Sequence, residues 1–135
     1  MTEFNYKGHG RTRRPKSVHP SGVDQAVTSS AAPSNDNANN GEQGYPTENQ
    51  RYLHVLLDTT PSADNITMTV FGYYHASNRW APMYDVRGSI MQFSSGPGGN
   101  AQCRIFEING VDRVYFKTDA ELDEADFFYA ALSTF

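Results

Sequence analysis

The sequence predicts an all-β protein: an antiparallel β-sandwich of jelly-roll-like form, preceded by an extended N-terminal arm. Three observations carry this. The aromatic residues segregate: residues 1–50 of the 135 hold only Phe4, Tyr6 and Tyr45, and residues 51–135 hold the other fourteen. Within 51–135 the apolar residues alternate with polar ones at period two in short runs, the mark of half-buried strands. Six or seven such runs recur at a spacing of about 8–12 residues, divided by Gly, Pro, Asn and Asp clusters, which suits a sandwich or barrel.

The arm is residues 1–50, rich in Ser, Asn, Gly, Pro and Thr. Its scattered apolar residues bury too little surface to offset the entropy of ordering, so its order is expected to come from outside the domain. Residues 1–20 form a basic arm, and 21–50 read as low-complexity linker without secondary structure of its own. The domain starts at Arg51. A unit of its size buries roughly 60–65% of its unfolded surface, enough to fold with a thin margin.

Tyr52–Leu57 is the first strand, closed by Asp58-Thr59-Thr60-Pro61. Asn65–Tyr74 is the strongest strand, with Ile66, Met68 and Val70 on one face and Thr67 and Thr69 on the other. A turn at 75–78 leads into a short strand over Arg79–Tyr84, where Pro82 marks an edge or bulge. Gly88–Phe93 is another short strand, and 94–100 is a loop. Asn109-Gly110 between the alternating runs 102–108 and 111–117 predicts a hairpin with a type I′ turn. Residues 119–126 tolerate one helical turn, and Phe127–Leu132 is the last strand.

Charge divides as composition does. The arm carries five basic and five acidic residues, and the domain six basic and ten acidic, so the formal net charge of −4 lies in the domain. An acidic domain is a poor general nucleic-acid binder, and no specific nucleic acid is expected as a partner. The exception is the run Lys7–Lys16. It suits phosphates, or an acidic protein groove with Phe4 and Tyr6 as anchors, and the acidic domain behind it favours the protein. The single cysteine, Cys103, excludes an intramolecular disulfide and a Cys-based zinc site, and its place in a strand reads as a buried small hydrophobe. The N-terminus lacks the apolar run of a signal peptide, and no stretch is long enough to cross a membrane, so no membrane partner is expected.

Other candidate chemistry has a plainer reading. Asp119, Glu121, Asp123, Glu124 and Asp126 offer oxygen ligands to a hard cation, but the sharp-turn glycine of an EF-hand is missing, and a solvated loop explains them. His9, His19, His54 and His75 show no metal-ligand spacing, and His54 reads as a packing residue. No nucleophile elbow occurs, and Gly96-Pro97-Gly98-Gly99 lacks the Lys of a phosphate loop. Neither a catalytic residue nor a cofactor is expected. Tyr73, Tyr74, Trp80 and Tyr84 lie close along the chain and, if exposed, would stack on sugar rings; core filling is the simpler account.

The segments VLLDTTPSADNITMTVFGYY, RWAPMYDVRGSI and FEINGVDRVYFKT…FFYAAL are similar to the strand pattern of small β-sandwich structural proteins of tailed bacteriophages. The T-x-T-V strand, the Trp-bearing return strand and the ING…RVYF hairpin carry the likeness, over residues 52–132. The resemblance implies a non-enzymatic virion protein, a capsid decoration (cement) or head–tail accessory subunit, assembled in a host cytoplasm. Its partners would be major capsid, neck or tail subunits and further copies of itself in a homo-oligomer. The arm would be its anchor, docking through Phe4, Tyr6, Arg11, Arg13, Arg14 and Tyr45. The alternative function is a carbohydrate-binding module using Tyr73, Tyr74, Trp80 and Tyr84. A small enzyme is a third reading, with no sequence feature behind it.

Overall fold

A computed structural model describes residues 16–19, 30–36, 39–123 and 125–134. Its strands are β1 (Lys16–His19), β2 (Tyr45–Pro46), β3 (Tyr52–Asp58), β4 (Thr67–Tyr74), β5 (Arg79–Pro82), β6 (Gln92–Ser94), β7 (Gln102–Glu107), β8 (Arg113–Thr118) and β9 (Phe127–Ser133). They form two antiparallel sheets, β1-β9-β3-β7 and β2-β8-β4-β5, with β6 also on β4. β5 and β6 lie end to end on the same edge of β4, opposite β4 residues 71–74 and 67–69. Counted as one interrupted strand, they give eight strands in the orders 1-8-3-6 and 2-7-4-5, the order of a jelly roll.

Alternation builds the core. Leu53, Val55 and Leu57 of β3 and Phe128, Ala130 and Leu132 of β9 face Met68 and Val70 of β4 and Val114 and Phe116 of β8. Phe116 and Phe128 meet at 4.9 Å between ring centroids and 61°. Ile66, Met91, Phe93, Ile108 and Val111 complete the buried cluster. Fully burying such a side chain stabilises the fold by about 1.5–3 kcal/mol.

The division at Arg51 is one of composition, because the arm supplies strands to both sheets. β1 pairs with β9, Ser17 opposite Ala131. β2 pairs with β8, Tyr45 opposite Val114. The domain itself therefore holds residues 30–36 and 39–50.

Asn109-Gly110 does not close a hairpin. β7 pairs with β3 and β8 with β4, so the dipeptide joins one sheet to the other. Gly110 has φ 91° while Asn109 stays at negative φ, and the Val111 N–H donates to the Ile108 carbonyl at 3.1 Å. That is the signature of a type II turn, which splays its flanking strands where a type I′ turn would align them. Ile108 and Val111, buried on either side of the turn, draw the two strands apart into the core.

Two further expectations change. Residues 119–123 and 125–126 form bends and a turn closed by the Asp126 N–H on the Asp123 carbonyl, not a helical turn. The strand expected over Gly88–Phe93 shortens to β6, and residues 84–90 leave the sheet as a projecting loop.

Three of the described edges, β7, β5 and β2, resist uncontrolled pairing. β7 carries exposed Arg104 on the same face as Val55, and a charge on an edge strand discourages a further strand. β5 ends at Pro82, and β2 contains Pro46.

Candidate functional site

The surface has three regions with potential chemistry: a strap over the second sheet, a groove beside the projecting loop, and the outer face of the first sheet.

The strap is the described residues 30–36 and 39–46. Outward on the second sheet lie Tyr73, Trp80 and Tyr115, 3%, 4% and 8% exposed. Their rings pack at 5.0 Å (Tyr73–Trp80) and 5.8 Å (Trp80–Tyr115). The strap covers them through polar contacts. The Asn35 side chain accepts from the Trp80 backbone N–H at 2.8 Å and donates to the Trp80 carbonyl at 3.1 Å. A primary amide thus serves as the missing neighbour strand at the β5 edge. The Trp80 indole N–H donates to the Asn40 carbonyl at 2.8 Å, and the Tyr115 hydroxyl to the Ala31 carbonyl at 3.0 Å. Arg113 donates to the Gln43 and Gly44 carbonyls at 2.7 and 3.0 Å. Burial lowers the Arg113 pKa from the usual guanidinium value, with Tyr73 and Glu42 opposing that shift. Gly44 sits at φ 66°, and a Cβ there would strike the Val114 carbonyl and approach the Trp80 ring to 3.0 Å.

These contacts correct the aromatic expectation. Tyr73 and Trp80 lie beneath the strap and present no ring face to a sugar. Tyr74 and Tyr84 remain outside it, 50% and 59% exposed. Of the residues expected to dock the arm, Tyr45 is half-buried and packs on Phe116 of its own core at 6.0 Å. Phe4, Tyr6, Arg11, Arg13 and Arg14 lie outside the described residues.

The groove runs between the projecting loop and the Ile108–Val111 turn. Its two lobes, about 280 and 360 Å³, share Tyr74, Met83, Tyr84 and Val111. The loop is firmly built. The Met83 N–H donates to the Val70 carbonyl and the Val70 N–H to the Met91 carbonyl, both at 2.9 Å, which pins the loop base to β4. At the tip Asp85 Oδ1 accepts from the Arg87 and Ser89 N–H groups, each at 2.9 Å. Gly72 lies at the groove wall because any Cβ there would meet the Met83 side chain at 2.7 Å.

On the outer face of the first sheet, Leu56, Cys103, Ile105 and Tyr129 line a shallow apolar depression with His54. Cys103 is exposed, contrary to the buried reading, because its side chain alternates to the solvent face of edge strand β7. His54 is half-buried, and its Nε2 shares a hydrogen bond of 2.8 Å with the Ser133 hydroxyl. Burial lowers its pKa from the usual histidine value.

The described acidic residues serve local structure. Asp119 accepts from the Thr67 N–H at 3.0 Å, and Glu121 from the Ser30 N–H at 3.2 Å. Buried Asp126 takes the Ser62 hydroxyl and the Asp123 N–H on one oxygen. Among the described residues, no three His, Cys, Asp or Glu side chains gather as metal ligands. No described helix is long and apolar enough to cross a membrane.

The class defined by this architecture is a two-sheet antiparallel β-sandwich with jelly-roll strand order. No family model, curated protein or solved structure matches the chain.

Proposed function

We propose that this chain is a non-enzymatic virion structural protein, a capsid decoration (cement) or head–tail accessory subunit, held to neighbouring virion proteins through its N-terminal arm. Jelly rolls serve in viral capsid domains and also in lectins, so topology alone does not choose. The observation that carries the reading is the use of the arm as a strand. β1 is the outermost described strand of the first sheet, and the basic run that begins at Lys7 ends in it. Lys16, the first described residue, therefore lies at the edge of the described sheet, the kind of edge at which an added strand joins one chain to a neighbour.

The outer face of the same sheet supports this reading. Phe127, Tyr129 and Ile105 are 50%, 37% and 64% exposed there. Together they present roughly 300 Å² of apolar surface. A stable interface takes about 800 Å² from each partner. The face alone falls short, and the arm has to supply the remainder.

The test is a variant lacking residues 1–15, which keeps β1 and the strap. Its mass is measured alone and after co-sedimentation with particles of the source virus, beside the full chain. We expect a folded protein that no longer sediments with particles, and a similar loss on replacing Arg11, Arg13 and Arg14 together by Ser. Undiminished incorporation of the truncated protein would refute the anchor.

A further inference from the structure

We propose that the groove between Tyr74 and Tyr84 binds a neutral oligosaccharide. The inference does not depend on the virion reading. Two exposed aromatic rings stand on a floor formed by Met83 and Val111, and polar groups line the rim. A sugar ring has the matching anatomy. Its axial C–H faces are apolar and lie against aromatic rings, and its equatorial hydroxyls both donate and accept at the periphery.

The polar groups are suitably placed and available. The side chains of Arg79 and Asn109 line the two lobes and make no hydrogen bond to another described residue. Asn109 offers an amide that both donates and accepts, as a hydroxyl pair requires. Asp85 has committed only Oδ1, to the loop tip, so Oδ2 is left to accept. Glu107, at the far wall, holds only a long ion pair of 3.8 Å with Arg51, and both partners are exposed. Such a pair is worth little and yields readily to a ligand hydroxyl.

Charge selects among sugars. The lining carries the carboxylates of Asp85 and Glu107 and the guanidinium of Arg79, with Arg51 beside Glu107 just outside it, on a domain whose net charge is negative. A uronic or sialylated chain would meet net repulsion, and a neutral one would not. The volume also fits: each lobe lies near the lower end of small-ligand sites, about 300–1,000 Å³, and the open form suits a chain passing through both. The pinned loop base and the Asp85-bridged tip hold Tyr84 in place before any ligand arrives, so little ordering cost accompanies binding.

The full chain is titrated with chitohexaose, cellohexaose, laminarihexaose and mannohexaose by calorimetry, and amide shifts are mapped by NMR. Trp80 fluorescence is a poor reporter because the strap covers that ring. We expect at least one of these sugars to bind, with shifts centred on Gly72, Asp85 and Asn109. Tyr74→Ala and Tyr84→Ala should each weaken it by about tenfold or more, with far-UV circular dichroism unchanged, because both rings are exposed. Hexagalacturonate should bind more weakly than the best neutral sugar. Absence of binding by all four at about 5 mM would overturn the proposal. So would shifts elsewhere on the surface, affinity unchanged in both Tyr variants, preference for hexagalacturonate, or binding of decaproline in place of every sugar.

Discussion

Replacing Asn35 by Ala removes both hydrogen bonds through which the strap holds the edge of β5, at 2.8 and 3.1 Å. A neutral hydrogen bond contributes about 0.5–1.5 kcal/mol net, so two contribute about 1–3 kcal/mol. Asn35 is half-buried, and water reaches the freed Trp80 backbone groups once the strap lifts. The lower part of that range therefore applies, about 1–2 kcal/mol. The loss is local. The indole N–H keeps the Asn40 carbonyl, and Arg113 still clamps Gln43 and Gly44. The assay uses the only tryptophan in the chain. Acrylamide quenching of Trp80 should rise in N35A while far-UV circular dichroism is retained, and the urea midpoint should fall by about 1 M. Asn35→Asp is the stringent companion. It keeps the acceptor for the Trp80 N–H but turns a carboxylate oxygen toward the Trp80 carbonyl, so at pH 7 it should destabilise at least as much. Unchanged quenching and an unchanged midpoint in N35A would refute the idea that this side chain acts as the missing strand.

Three further outcomes follow from the same geometry. Asn109→Pro should be tolerated or stabilise by about 0.4–1 kcal/mol, since proline suits the second position of a type II turn; a fall of more than about 2 kcal/mol in urea unfolding would restore the hairpin reading. Burial depresses the His54 pKa, so the folded state favours neutral imidazole and the unfolded chain binds the proton more readily. Its contribution is complete above the unfolded pKa of about 6.5 and is lost as pH falls through the window just below; the urea midpoint should therefore drop more between pH 7.5 and 5.5 in the parent than in His54→Gln, and equal drops would contradict it. Cys103, exposed on β7, should react fully with a chromogenic disulfide in native buffer; reaction only after unfolding would place it inside.

The location of strands within 51–135 was legible in the sequence because alternation is a local property. Leu53, Val55 and Leu57, and Met68 and Val70, face the core as their spacing predicts. The candidate site was legible only in part. Four aromatics lie together in sequence, but Asn35, Asn40 and Gln43 decide that Tyr73 and Trp80 are covered while Tyr74 and Tyr84 are not. Those three residues sit in a stretch whose composition reads as linker. The groove also needs Glu107 and Asn109, distant in sequence from Tyr74 and Tyr84. The Asn40 and Gln43 side chains carry no pattern that marks them as covers; only their hydrogen bonds do.

By itself the sequence determined the all-β class, the positions of most strands after Arg51 and which side of them turns inward. Tertiary structure alone decided that β7 joins β3 rather than β8, that Lys16–His19 and Tyr45–Pro46 complete the two sheets, and that Cys103 is exposed. The reason is physical. Which face of a strand is apolar depends on neighbours two residues apart. Which strands pair depends on where both can bury that face at once, and closing a longer loop to do so adds little entropy cost, about 0.6 kcal/mol per doubling. The type II turn at Asn109-Gly110 and the buried pair Ile108 and Val111 made the cross-sheet partner available. The arm segments joined because open sheet edges and unpaired backbone groups at Trp80 awaited them, a need that exists only once the rest has folded.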